Sequence, residues 1–417
     1  MTSFLLILNT FKTVFVLLIS IWWLYLPVFL FLLSYLAVKN YTNLKYRLSL
    51  EWTLLEIKVP KENRKSPKAM EQIFAGLHGV YTIKKKWHKI FFKGEMLAWF
   101  SFEIVGKGGE THFYVRTQTE YKNVVEAQIY AQYPEAEVVE SVDYINDLPL
   151  YLPDDKYDLW GTELILNKED AYPIRTYPEF EEKGTGPEDA KRVDPMASIS
   201  ELCSTLHAGE QIWLQIIGTP IGDDWIKKGQ AVLDKLMGKE AVKSGNFLSD
   251  MVFAIDKAIS GIGSVPVDKK EERKERVNLS PGKEDIMKAM EKSWDKLGYQ
   301  TGIRYLYIGP KDNFHQSHVA GINGAFRQFS SQNLNGFKSN KYTITHARGL
   351  FKNSKLLTRK KAIYQAFRER QVMLFKYVLN TEELATIYHL PDIGVRAPLL
   401  PRVEAKRGEP PVGLPIT

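Results

Sequence analysis

Three Gly-Lys pairs, Gly106-Lys107, Gly238-Lys239 and Gly282-Lys283, are the places where a phosphate-binding loop could start. Such a loop needs glycines to wrap the phosphates, a lysine for their charge and a Ser or Thr hydroxyl for Mg²⁺. Here the next residues are Gly108, Glu240 and Glu284, so the hydroxyl is missing at all three. His315-x-x-His318 has a spacing that suits metal ligands on one helix face. With no acidic or cysteine partner assigned, the pair reads as surface or packing residues. Cys203 falls in a predicted amphipathic helix without a nucleophile signature, and reads as a small buried hydrophobe. His78 and His207 end predicted helices, where an imidazole can bond terminal carbonyls. No catalytic residue, metal ligand or cofactor is assigned, and the chain reads as non-enzymatic.

Two basic stretches carry more binding content. Lys84, Lys85, Lys86, Trp87, Lys89 and Lys93 interleave charge with aromatics, a pattern suited to anionic headgroups as well as to a solvated hairpin. Lys355, Arg359, Lys360, Lys361, Arg368 and Arg370 lie within 352–370, a stripe that could meet phosphates of a nucleic acid or form the wet face of a helix.

The elements that must position these residues begin with a membrane segment. Thr13 to Val38 is a run of 26 residues without a charge. As a helix it is about 39 Å long, enough for a hydrocarbon core of about 30 Å. The run is too long for a signal peptide, and Tyr35-Leu36-Ala37 is a poor cleavage sequence. Lys39, Lys45, Arg47, Lys58, Lys61, Arg64 and Lys65 follow the span while only Lys12 precedes it. The positive-inside rule therefore puts the larger C-terminal part in the cytoplasm. A lone cysteine agrees with a reducing compartment, and a net charge of +7 is compatible with an anionic partner.

Beyond the anchor, strand and helix signals alternate. Leu55, Ile57 and Val59 alternate with charge up to Pro60; Ser66-Pro67 opens a helix that stops at Gly79. Strands over 97–105 and 111–117 flank a glycine turn, followed by a helix over 120–132 and a strand over 136–142. The order is βαββαβ, the ferredoxin-like pattern. A second unit reads as strand 159–166, helix 196–207, strand 211–217, strand 303–308 and helix 314–329. Leu77-His78-Gly79 and Leu206-His207-Ala208-Gly209 end corresponding helices, and Trp99 and Trp213 mark the strands that follow, a faint internal repeat. The expected fold is α+β: an N-terminal transmembrane helix, then tandem ferredoxin-like domains, the second with a helical insertion at about 220–300. The domain boundaries fall at 1–45, 46–150, 151–345 and 346–417, the last a helical segment with a Pro-rich tail. The linker 171–195, rich in Pro, Gly and charge, reads as mobile, and the charge run 268–276 as a solvated helix or linker.

The tail brings a resemblance. Leu379-Asn380-Thr381-Glu382-Glu383-Leu384, His389-Leu390-Pro391 and Arg402-Val403-Glu404-Ala405-Lys406-Arg407-Gly408 resemble the segment ahead of the motor in FtsK/HerA-like ATPases of type IV secretion and conjugative DNA transfer. Val59-Pro60-Lys61-Glu62-Asn63, Val125-Glu126-Ala127-Gln128, Leu279-Ser280-Pro281-Gly282 and Ile303-Arg304-Tyr305 resemble the uncharacterised region before those motors. The resemblance covers roughly 52–415. It implies a non-catalytic, membrane-anchored platform that docks a separate Walker-type ATPase. The Walker motifs that follow the Leu-Pro segment in the fused relatives do not follow it here, as expected of a motor on a separate polypeptide, of a stand-alone paralogue or of a truncated chain. Asn380, Glu382, Glu383, His389, Arg402 and Glu404 are the expected docking residues. A homo-oligomer, such as a ring matching a hexameric motor, is implied only by analogy. The alternative function is a nucleic-acid-binding membrane protein using the 352–370 stripe.

Overall fold

A computed structural model describes residues 22–60, 63–81, 93–180, 193–238, 280–370, 376–392 and 402–403, together with Lys12 and Ser20. The chain divides into two compact units, residues 1–52 with 82–98 and residues 53–81 with 99–417.

The first unit contains helix α1, Trp22–Ser49, long and apolar enough to cross a membrane. Trp23, Phe29, Phe31 and Leu36 are exposed along it, with none of its apolar window buried, and Pro27 lies inside it. Most of the expected span before Trp22 lies outside the described residues. Gly94, in the same unit, has φ +65° and lies so close to the Thr42 backbone of α1 that a Cβ would collide with it. That approach requires glycine.

The second unit is built on one sheet of ten strands. These are β1 (Trp52–Pro60), β2 (Phe100–Lys107), β3 (Glu110–Gln118), β4 (Glu137–Glu140), β5 (Tyr157–Leu166), β6 (Gln211–Pro220), β7 (Gly298–Pro310), β8 (Phe337–Ser339), β9 (Tyr377–Asn380) and β10 (Arg402–Val403). They run in the order β10-β1-β3-β2-β6-β7-β5-β8, with β4 also on β1 and β9 also on β7. The β2–β3 turn is Gly108-Gly109, with φ +55° and +97°, as a two-residue hairpin that keeps the strand twist requires.

Side chains alternate across the sheet. Phe100, Phe102 and Ile104 of β2, Leu214 of β6 and Tyr305 of β7 face one core. There they meet helices α2 (Lys68–Leu77), α3 (Lys122–Gln132) and α4 (Ala197–Ser204). The helix after β7 packs there too. Val105, Trp213, Leu306 and Ile308 face the opposite side, where Ile145, Leu152, Ile363, Tyr364 and Phe367 cover them. Of the insertion, α5 (Asp224–Leu236) and α6 (Pro281–Trp294) are described and pack together through Leu233 and Met290. Residues 239–279 of the expected insertion, the charge run 268–276 included, lie outside the described residues.

Two expectations need correction. The linker expected to be mobile from Ala171 is packed into the body over its first ten residues: Ala171, Ile174, Tyr177 and Phe180 are buried. Nor does the expected C-terminal segment stand apart from the body over 376–392. Strand β9 pairs with the first residues of β7, and Leu384, Ala385, Ile387 and Tyr388 belong to the main core.

The outer helix is held by buried charge. Arg370, at its C-terminal end, donates from Nε to Glu103 Oε1 at 2.7 Å and from Nη1 to Asp143 Oδ2 at 2.7 Å. Glu103 also accepts from the Ser101 and Tyr144 hydroxyls and from Gln215 Nε2. Burial alone would raise the Glu103 carboxyl, yet Arg370 and these hydroxyls carry it below the ordinary carboxylate value. Truncating one partner of such a pair strands the other charge. Arg370→Ala is therefore expected to cost about 3–5 kcal/mol in urea unfolding of the full chain in detergent. A cost below about 1 kcal/mol, the size of a surface pair, would show that the clamp carries little.

Candidate functional site

The turn between α4 and β6 places Glu210 immediately before the sheet, its side chain 0% exposed. Helix α7, Gln316–Arg327, begins across from it with His315 as its N-cap residue. Glu210 accepts a hydrogen bond from the Tyr307 hydroxyl at 2.7 Å and one from the His207 backbone N–H at 2.8 Å. His315 Nδ1 lies 3.0 Å from Oε1, and His318 Nε2 lies 3.5 Å from Oε2. The ligand atoms of Glu210, His315 and His318 all lie within 4.8 Å of one another. The His207 ring is 5.9 Å from that of His315, so three of the eight histidines in the chain gather here. His318 is nearly buried, whereas 44% of the His315 side chain is exposed, giving the cluster one open side.

The Glu210 carboxyl and the His318 imidazole are both shifted downward. Burial would raise the Glu210 carboxyl, but the bonds from Tyr307, the His207 N–H and His315 hold it below its ordinary value. Burial pushes the His318 imidazole down, and the neighbouring His315 and His207 add to this against the pull of Glu210. The acidic partner missing beside His315-x-x-His318 is thus supplied by a residue 105 positions away. His207, expected to end a helix, lies beyond the end of α4 at Ser204, and its backbone N–H holds the carboxylate. His78, the other helix-end histidine, bonds the Ile221 carbonyl at 2.9 Å rather than a carbonyl of its own helix.

Residues 34–399 match a family described as a domain of unknown function (DUF8128). The chain belongs to the DUF8128 family. No curated protein matches it.

In this DUF8128 chain the expected binding residues fare differently from one another. Lys84, Lys85, Lys86, Trp87 and Lys89 lie outside the described residues, and Lys93 is exposed. The basic stripe falls on α8, Lys352–Arg368, but much of it turns inward. Lys360 pairs with Asp158 at 2.6 Å. Arg359 donates to the Ile344 carbonyl at 3.1 Å and to that of His346. Arg368 bonds the Ile145 carbonyl at 2.7 Å, and Arg370 is buried in its clamp. Lys355 and Lys361 remain exposed. A continuous phosphate-binding stripe is therefore not presented, because four of its six members are tied to groups of the body.

The expected docking residues are corrected more strongly. Asn380, Glu382, Glu383 and His389 are buried. Helix α9, Thr381–Ile387, opens with a capping box: Asn380 Oδ1 accepts from Glu383 N–H and Glu383 Oε2 accepts from Asn380 N–H, each at 2.9 Å. Glu382 accepts from the Thr176 hydroxyl at 2.7 Å, and His389 Nε2 lies 2.8 Å from Asp194. These groups fasten the chain to itself and offer no face to a partner. Arg402 belongs to β10, which pairs in parallel with the end of β1; Glu404 lies outside the described residues. Cys203 is buried, with burial pushing its thiol up to about 12, as an inert core residue requires.

Two measurements follow. Arg359→Ala and Lys360→Ala are expected to lower stability by roughly 1–3 kcal/mol, because each orphans a partly buried partner. Lys355→Ala and Lys361→Ala should stay within about 0.5 kcal/mol. Equal effects in denaturant titrations would contradict the inward assignment.

The second concerns Glu383, whose carboxyl burial raises to about 7, with the Asn380 and Ile174 N–H bonds opposing. Its folded form thus binds a proton that the unfolded chain has released above about 4.3. Its stabilising contribution is complete below that value and falls as pH rises towards 7, at up to about 1.4 kcal/mol per pH unit. Glu383→Gln should flatten the stability–pH curve over that window; an unchanged slope would place the titration elsewhere.

Proposed function

We propose that this chain is a non-catalytic platform, anchored by α1 with its body on the cytoplasmic side, in a type IV secretion-like or DNA-translocation apparatus. The observation that carries the anchoring is the exposed apolar face of α1 all around its length, a state that water penalises and hydrocarbon rewards. Lys39, Lys45 and Arg47 follow the apolar stretch on the same helix, which supports the orientation. The approach of Gly94 to Thr42 supports a membrane-surface role for the neighbouring basic stretch, since Thr42 lies only a turn beyond Val38.

The body is proposed to be two ferredoxin-like units fused edge to edge. In the first, β4-β1-β3-β2 run side by side, and in the second β8-β5-β7-β6 do the same. Both carry one helix after their first strand and another after their third. Strands β2 and β6 are the joined edges. Such a body supplies broad surfaces without needing a cleft of its own. The separate Walker-type ATPase rests on the resemblance of the C-terminal region to motor-linked segments. With Asn380, Glu382, Glu383 and His389 buried, its docking face lies elsewhere on the body. The nucleic-acid alternative loses ground because only Lys355 and Lys361 of its residues stay exposed.

The test is purification of the full chain from its native membrane in mild detergent, with mass spectrometry of the companions. A Walker-containing ATPase at near-equal amount is the expected result. A chain that leaves the membrane in alkaline carbonate would refute the anchor, and a partnerless, carbonate-resistant chain would refute the platform alone.

A further inference from the structure

We infer that Glu210, His315 and His318 form a binding site for a divalent transition metal, Zn²⁺ being the ion that fits best. Zn²⁺ bonds to imidazole nitrogen and carboxylate oxygen at about 2.0–2.2 Å, so ligand atoms around a tetrahedral ion stand about 3.4 Å apart. The Glu210–His315 and Glu210–His318 separations of 3.0 and 3.5 Å lie on either side of that value. All three ligand atoms lie within 4.8 Å, a spread that small side-chain rotations can close.

The donor set also selects the class of ion. Mg²⁺ and Ca²⁺ prefer shells of oxygen, whereas two imidazoles and one carboxylate suit Zn²⁺ and its transition-metal neighbours. Three protein ligands leave one position, and the half-exposed His315 side opens it to water. The His207 ring stands 5.9 Å from that of His315, outside the group of three ligand atoms. An outer shell is already in place. The Tyr307 hydroxyl and His207 N–H hold the carboxylate, and Tyr307 also accepts from the His315 backbone N–H at 3.0 Å. Outer bonds of this kind fix the orientation of first ligands. The positive end of α7 opposes a cation, and the buried Glu210 charge offsets it. A bound ion would tie the first turn of α7 to the start of β6, with three coordinate bonds in place of the two carboxylate–imidazole contacts.

The experiment uses the full chain in detergent, purified without a histidine tag, stripped with EDTA and titrated with ZnCl₂ by calorimetry. One Zn²⁺ per chain is expected, with a matching rise in melting temperature. His315→Ala, at a half-exposed position, should keep the fold yet weaken Zn²⁺ by at least about 10- to 100-fold. Tyr307→Phe should weaken it by a similar factor without removing a ligand. His346→Ala, at an exposed histidine elsewhere, should change nothing. If His318→Ala fails to fold, His315→Ala alone decides. No Zn²⁺ uptake by the wild-type chain, or uptake untouched by His315→Ala, would overturn the assignment and leave the cluster a hydrogen-bonded clasp.

Discussion

Eight residue pairs between Phe100–Lys107 and Gln211–Gly218 join the two halves of the sheet, and the rest of the body is organised around that seam. The register sets Glu103 opposite Gln215, so that both reach the outer face where Arg370 arrives. It also sets Gly106 opposite Ile212. A side chain at Gly106 would bring Cβ within 2.5 Å of Cys203 Sγ, so glycine lets α4 pack directly on the seam. Just past it, the Gly108 N–H bonds the Glu210 carbonyl at 3.2 Å, fixing the turn that presents the carboxylate to the histidines. A slip of one residue would turn every one of these side chains to the wrong face.

Covering both faces of a sheet creates a problem that the sequence solves with paired charges. Polar side chains that would otherwise face water, among them Glu103, Glu163 and Arg304, are enclosed once α8 lies over them. Each finds a partner: Arg304 meets Glu163 at 3.3 Å and the Ala366 carbonyl, and Arg370 spans Glu103 and Asp143. These bonds specify where the end of α8 sits more than they add net stability. The same logic governs α9, whose acids cap its own start and hold Ile174 and Thr176, while the Thr386 hydroxyl accepts from the Tyr177 N–H.

The regular elements were legible because their cause is local. Alternation in Phe100, Phe102 and Ile104, the Gly108-Gly109 turn and the Ser66-Pro67 start each act within a few residues, and the observed elements begin and end close to where these signals put them. What stayed hidden depends on distant partners. Thr381-Glu382-Glu383 reads as a solvated helix start, since nothing nearby announces that Thr176 and Ile174 will bury it. The lysines and arginines of α8 look alike in sequence, and only Asp158 and the carbonyls of 344 and 346 separate the tied from the exposed. His315-x-x-His318 was visible as a pair, but its carboxylate arrives through the β6–β7 pairing from 105 residues away.

The proposed platform requires α1 to anchor the chain with its body on the cytoplasmic side of a membrane. Cys203 is buried, so a Leu350→Cys substitution, at one of the most exposed apolar positions, adds a single accessible thiol. A membrane-impermeant maleimide should leave that thiol unlabelled in intact cells and modify it once the membrane is opened. Labelling in intact cells would put the body outside and contradict the platform.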